Sequence, residues 1–153
     1  MVKGQEIYES FINQIDADIY VLAHATAPFI KTETIQNALD KVMNEDYDSA
    51  MSVKKVKTFV WYKGKTLNYE LNDIPRTQDI EPIYYETSAF FIFNKEVFTK
   101  MNRRRIGDKP YFQEIDDIEA IDIDYPEDFK FAQVIMKSLR NNDKEDIKIW
   151  EMK

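Results

Sequence analysis

Two acidic residues, Asp122 and Asp124, stand one residue apart in the stretch EAIDIDYPEDF, with Ile121 and Ile123 between and before them. Read as an extended strand, side chains alternate between faces, so the isoleucines share one side and the aspartates the other. The two carboxylates then project together, with Cβ atoms roughly 7 Å apart at ~3.3 Å per residue. Such a pair can hold a hard cation such as Mg2+, which takes oxygen ligands and keeps several waters. A second reading is open. Pro126 suits the first position of a helix, and Asp124 is then placed to cap it.

The other residues able to do chemistry are few. His24 is the chain's one histidine, at the end of an apolar run, where open α/β sheets bind ligands. A hydrogen-bonded turn histidine is the plainer alternative. With no cysteine and no nucleophile elbow, a catalytic triad has no support. Arg76 and Gln78 lie in PRTQD, and arginine offers a planar fork of donors for carboxylate or phosphate. A surface pairing of Arg76 with Asp73 or Asp79 is the plainer alternative. Arg103, Arg104 and Arg105 form a second basic cluster, read either as an anion site or as a solvated helix end. The three glycines, Gly4, Gly64 and Gly107, are too scattered for a P-loop or a GxGxxG turn, so the sequence contains no glycine-rich phosphate cradle.

These residues need a scaffold. Residues 6–15 have helical spacing, with Ile7, Phe11, Ile12 and Ile15 on one face. Residues 19–23 read as a strand buried on both sides. A helix follows from Thr32, with Ile35, Leu39 and Val42 inward, and then a strand around residues 50–53. That strand–helix–strand order favours a parallel pair. TFVWYKGKTLNYEL reads as a hairpin turning near Lys63–Gly64. The long loop after it is of a kind that is functional or interface-forming. TSAFFIFN is a buried strand, residues 95–102 a short helix, and KPYFQEI and EAIDID two more strands. Residues 126–139 form a helix with Phe129, Ala132, Val134 or Ile135, and Leu139 inward. Two regions result: residues 1–140 as a domain and residues 141–153 as a charged, frayed tail, with Trp150 as its one possible anchor.

Composition narrows the function. The 153 residues are 44% apolar, enough for one core. A net charge of −7 argues against nucleic acid as a partner. No apolar run approaches the ~20 residues of a membrane span, and the N-terminus lacks a signal-peptide stretch. The absence of cysteine fits a reducing cytoplasm.

Five stretches, DIYVLAHATAPF, DSAMSV, PRTQD, ETSAFFIF and EAIDIDYPEDF, occur in the order seen in the acylneuraminate cytidylyltransferases, the CMP-sialic acid synthetases and their kin. The resemblance covers residues 18–139. It implies an α/β, three-layer, nucleotidyltransferase-like (Rossmann-like) fold with a mainly parallel sheet and a protruding hairpin for dimerisation. It implies CTP and a sugar acid as substrates, CMP transfer with release of pyrophosphate, Mg2+ as cofactor and a homodimer. In its terms Asp122 and Asp124 hold the metal, Arg76 helps bind sugar or phosphate, and His24, Thr26, Gln78, Thr87 and Ser88 line the substrate site. Residues 61–85 are the expected dimer contact. This sequence departs from the family at several points. Members tend to carry Asn-Gly where Thr87-Ser88 stands, glutamine at His24 and tyrosine at Phe91. The family's opening strand and glycine-rich nucleotide loop have no counterpart, so the chain resembles the C-terminal two-thirds of such an enzyme. A non-catalytic remnant or interaction module of the same fold is the alternative. A metal-dependent glycosyltransferase fits the motif order less well.

Overall fold

A computed structural model describes the backbone of residues 4–151 and the side chains of residues 4–141. The elements follow in the order α1 (Gly4–Gln14), β1 (Ile19–Ala23), α2 (Thr32–Asn44), β2 (Ser49–Val56), β3 (Trp61–Tyr62), β4 (Lys65–Thr66), β5 (Ile83–Asn94), α3 (Lys95–Lys100), β6 (Pro110–Glu114) and α4 (Pro126–Glu151). Four strands form the main sheet in the order β1-β5-β2-β6. β5 is antiparallel to both neighbours, while β2 and β6 pair in parallel. β1, α2 and β2 therefore make a parallel crossover unit as expected, but the long strand β5 lies between its two strands. The sheet is mixed: β1, β2 and β6 run one way and β5 the other.

Helices cover both faces. On one, Ala38 and Val42 of α2 pack on Ala50, Ala89, Phe90 and Ile92. On the other, Ile12 of α1 and Val97 and Phe98 of α3 meet Tyr20, Phe91 and Phe93. The run of Phe90, Phe91, Ile92 and Phe93 is almost wholly buried because β5 is an interior strand covered on both sides. α3 starts where Asn94 accepts a hydrogen bond from the Val97 amide at 3.0 Å, which satisfies a free N–H of the first turn.

Three expectations change. β1 is an edge strand, and Val21 stays 46% exposed, since nothing among the described residues pairs with its outer side. On α1 only Ile12 is buried; Ile7, Phe11 and Ile15 are exposed. On α4 Ala132 is buried and Ile135 half-buried, whereas Phe129, Val134 and Leu139 face outward. The apolar spacing found the helices and overstated how much of each face is covered. α4 runs on past residue 140 to Glu151. The Trp150 side chain lies outside the described residues.

β3 and β4 close at Lys63 and Gly64, both with positive φ (50° and 77°), the backbone of a primed hairpin turn. They belong to an arm, residues 57–82, that carries the exposed Phe59, Trp61, Tyr62, Leu67, Leu71 and Ile74.

The main irregularity of the sheet is in β5. Met51 pairs with Phe91 but Val53 pairs with Glu86, so Ser52 alone faces residues 87–90. The Ser52 hydroxyl oxygen takes a hydrogen bond from the Thr87 hydroxyl (2.8 Å) and another from the Phe90 amide (3.2 Å). The extra residues are thus tied to one buried oxygen, and Ser88 takes a left-handed φ of 59° to let them pass. That conformation disfavours any side chain with a Cβ. Ser88→Gly is expected to stabilise the fold by about 1 kcal/mol or less, the relief of backbone strain being partly offset by a more flexible unfolded chain. Denaturant unfolding checks this; a lower midpoint would show that the bulge is not strained.

Candidate functional site

β1 ends by delivering residues 24–28 to a turn at one edge of the sheet. The His24 amide donates to the Ala89 carbonyl at 2.9 Å, which fixes this turn beside the β5 bulge. His24 is half-buried, its ring 5.9 Å from that of Phe91. The Arg105 guanidinium covers the same Phe91 ring at 3.8 Å and pairs with Glu86 at 2.9 Å. Thr26 and Ser88 lie close by through the main chain, and Thr87 is buried with its hydroxyl committed to Ser52.

The acidic segment reaches the same place by a different route from the one expected. Residues 119–124 are not a strand; they are a turn followed by irregular chain. Asp116 begins the turn, its carboxylate accepting the amides of Ile118 (2.9 Å) and Glu119 (2.8 Å). Glu119 is 4% exposed and accepts from the Thr34 hydroxyl (2.6 Å) and the Lys31 amide (3.1 Å) at the start of α2. Lys31 also bridges to Asp116 at 2.7 Å. The Ile123 amide then donates to the Thr26 carbonyl at 2.9 Å. This last bond sets the Asp-Ile-Asp stretch beside the β1 turn without ladder pairing.

Asp122 is half-buried. One of its carboxylate oxygens is shielded from solvent and has no hydrogen-bond partner. A buried, unpartnered carboxylate oxygen is expensive unless a cation or donor joins it. Asp124 is exposed, and among the described residues its side chain caps nothing. Asp128, in the first turn of α4, instead accepts the amides of Asp124 (3.2 Å) and Tyr125 (2.9 Å). The capping role considered for Asp124 therefore belongs to Asp128. No group of three or more His, Cys, Asp or Glu that could enclose a metal occurs among the described residues. A pair of carboxylates is the donor set that Mg2+ accepts when waters and substrate phosphates complete its shell.

His24, Thr26, Thr87, Ser88 and Asp122 are thus gathered at one end of the sheet, with Asp124 following at the start of α4. Arg76 and Gln78 are not part of this cluster. Arg76 is 77% exposed on the arm, and both its Nε (2.7 Å) and a terminal nitrogen (3.2 Å) donate to Asp79. The carbonyl of Gln78 accepts from Lys57 at 2.7 Å. Sequence reasoning missed Ser52, Asp116, Glu119 and Lys31. The Asp116-x-x-Glu119 spacing is the one signal that could have shown a turn in place of a strand.

The polar side chains collect at one end of the sheet, where open α/β sheets bind ligands. The cytidylyltransferase family pattern matches residues 4–148, and the chain belongs to that family. Among curated proteins it is similar to the N-acylneuraminate cytidylyltransferase of Streptococcus agalactiae serotype III (strain NEM316), with 27% identity over 121 residues. That alignment takes in 74% of this chain and 29% of the relative. The serotype V (strain ATCC BAA-611 / 2603 V/R) protein of the same name is 26% identical over an equal span. The chain thus spans under a third of the length of these relatives. Among solved structures, the 4-diphosphocytidyl-2C-methyl-D-erythritol synthase of Anaerococcus prevotii DSM 20548 superposes with a TM-score of 0.63 at 12% identity. It covers 90% of this chain and 68% of its own, a likeness of fold. No helix among the described residues is long and apolar enough to cross a membrane.

The anchoring of the acidic segment is pH-dependent. The Lys31 ammonium, and then the amides of Glu119 and Ile118, hold the Asp116 carboxyl below its ordinary value. A depressed carboxyl stabilises the fold above its unfolded value near 4 and loses that contribution as pH falls through the lowered folded value. Lys31 is raised, chiefly by Asp116, so its contribution is complete below its unfolded value and disappears as pH climbs past the raised one. Amide exchange at residues 118–124 should accelerate in wild type as pH falls below about 4, relative to the core strands. Asp116→Asn should show fast exchange already at pH 6. Equal protection of variant and wild type at pH 6 would remove Asp116 as the anchor.

Proposed function

We propose that this chain supplies the metal-binding carboxylates and the acceptor side of a cytidylyltransferase that moves CMP from CTP to a sialic-acid-like sugar acid. The reading rests chiefly on the unpartnered buried oxygen of Asp122, set beside the β1 turn in a chain of this family. The similarity to two N-acylneuraminate cytidylyltransferases supports a sugar acid as acceptor.

In the reaction, a sugar hydroxyl oxygen bonds to the α-phosphorus of CTP, the bond to pyrophosphate breaks, and the hydroxyl proton passes to water. Asp122 and Asp124 would hold Mg2+, which supplies positive charge against the departing phosphates when bound. His24, Thr26 and Ser88 would bind and orient the acceptor at the end of the sheet. Thr87 acts mainly by holding the bulge that carries Ser88. Arg76 and Gln78 would join only through movement of the arm or from a second copy, since in this chain they stand apart from the cluster. The reaction would run in the cytoplasm as a homodimer.

A second reading is favoured by the arm. Its exposed aromatic and aliphatic residues suit an interaction module that keeps the fold without turnover. With CTP, Mg2+ and N-acetylneuraminic acid, the chain alone should release little pyrophosphate, because its sequence offers the phosphates no glycine-rich cradle. Binding separates the two readings. Mg2+ titrated with CMP should shift the amides of residues 24–27 and 121–125. Asp122→Asn should weaken the response about tenfold or more, a loss that even outer-shell partners of metal sites can cause, without lowering its melting midpoint, since it removes a buried unpartnered charge. An unaltered response in the variant would exclude Asp122 as a ligand, and no response in wild type would favour the interaction module.

A further inference from the structure

Three arginines follow α3, and their side chains go to three different places. Arg103 pairs with Glu9 of α1 at 3.0 Å, and Arg104 with Asp108 of its own loop at 2.8 Å. Arg105 instead lies over the Phe91 ring, which His24 also meets, and one terminal nitrogen donates to Glu86 at 2.9 Å. Among the described residues its other N–H groups have no partner. A guanidinium laid on a ring face keeps these donors in one plane, at the rim of the ring.

The loop that carries Arg105 is held at both ends. Asn102 and Arg103 both take a left-handed φ (54° and 62°), a conformation that a Cβ disfavours and that persists only where the surroundings impose it. Those surroundings belong to the start of β2. The Gly107 amide donates to the Ser49 hydroxyl at 2.8 Å, and the amides of Asp108 (2.8 Å) and Lys109 (3.1 Å) donate to the Asp48 carboxylate. A Cβ on Gly107 would fall 2.1 Å from that carboxylate, so the close approach is open to glycine. Arg105 therefore starts from a fixed backbone and ends on a buried ring.

We propose that Arg105 determines acceptor specificity, its guanidinium receiving the carboxylate of the sugar acid. This assignment rests on the cytidylyltransferase reading above and gives Arg105 a task that the sequence pointed to at Arg76. Arg76 is held by Asp79 on the arm, apart from the cluster, whereas Arg105 shares a ring with His24. A carboxylate takes two parallel N–H bonds from one guanidinium, a match of shape as well as charge. Glu86 does not close the site. Its side chain and that of Arg105 are each about a third exposed, and ion pairs open to water are weak. Glu86 can therefore keep its one bond as an orienting partner or yield it to the incoming acid.

The test compares N-acetylneuraminic acid with its methyl ester, each titrated into the isotope-labelled chain with Mg2+ and CMP present. The acid should shift the Arg105 Nε–H and the amides of residues 24 and 86–91. It should bind about tenfold or more tightly than the ester, the worth of a hydrogen-bonded charge. Arg105→Met keeps an apolar side chain for Phe91 and loses the fork, so it should bind the two compounds equally. Arg105→Lys keeps the charge and should recover only part of the preference. Melting midpoints of both variants report whether they fold. A side chain that merely props Phe91 would change both affinities together, and a variant that keeps the wild-type ratio of acid to ester overturns the assignment. A wild type that binds acid and ester alike, or neither, while still answering Mg2+ and CMP at residues 121–125 removes Arg105 and leaves the proposed function standing. A wild type that answers none of these removes both.

Discussion

One main-chain hydrogen bond, from the Ile123 amide to the Thr26 carbonyl, joins the acidic segment to the sheet and sets the geometry of the candidate site. Irregular chain has no ladder to hold its register, so it must be fastened at points. Glu119 fastens it to the start of α2 through Thr34 and Lys31, and Asp128 fastens its far end to α4. Between these anchors Asp122 keeps an oxygen that no protein donor reaches. Local energy is sacrificed there, and such conflicts are expected where function demands them.

The second constraint is the bulge in β5. An interior strand rich in phenylalanine would ordinarily run straight through the sheet. Here Ser52 faces four residues in place of one, and its hydroxyl accepts from the Phe90 amide, which the β2–β5 ladder leaves unpaired, and from the Thr87 hydroxyl. The consequence is local: the bulge falls beside the β1 turn, where the His24 amide continues the β1–β5 ladder onto the Ala89 carbonyl. Bulges often re-aim side chains next to functional sites. Asn-Gly in place of Thr87-Ser88, as the resemblance implies for relatives, would suit a position with positive φ. This chain keeps the conformation with a serine, at some strain.

Much of this could be read from the sequence. The α2 stripe of Ile35, Leu39 and Val42, the buried run of β5 and the Lys63–Gly64 turn all carry strong local signals, and each forms as expected. The Asp122–Asp124 stretch misled because alternating Ile and Asp is as compatible with anchored coil as with a strand. Only distant partners, Thr26, Lys31 and Thr34, decide between them. For α1 and β1, periodicity says which face is apolar and not whether anything covers it. Arg76 shows the same limit: a guanidinium suited to an anion is found on Asp79, three residues away.

The central claim is that Asp122 is a ligand to a divalent cation. Its most direct test is anomalous diffraction from crystals grown with Mn2+ and CTP. The account predicts a manganese peak bonded to an Asp122 carboxylate oxygen, at about 2.0–2.2 Å as for small divalent cations on oxygen. A well-ordered site with no peak there, and that oxygen occupied by a protein donor, would contradict it.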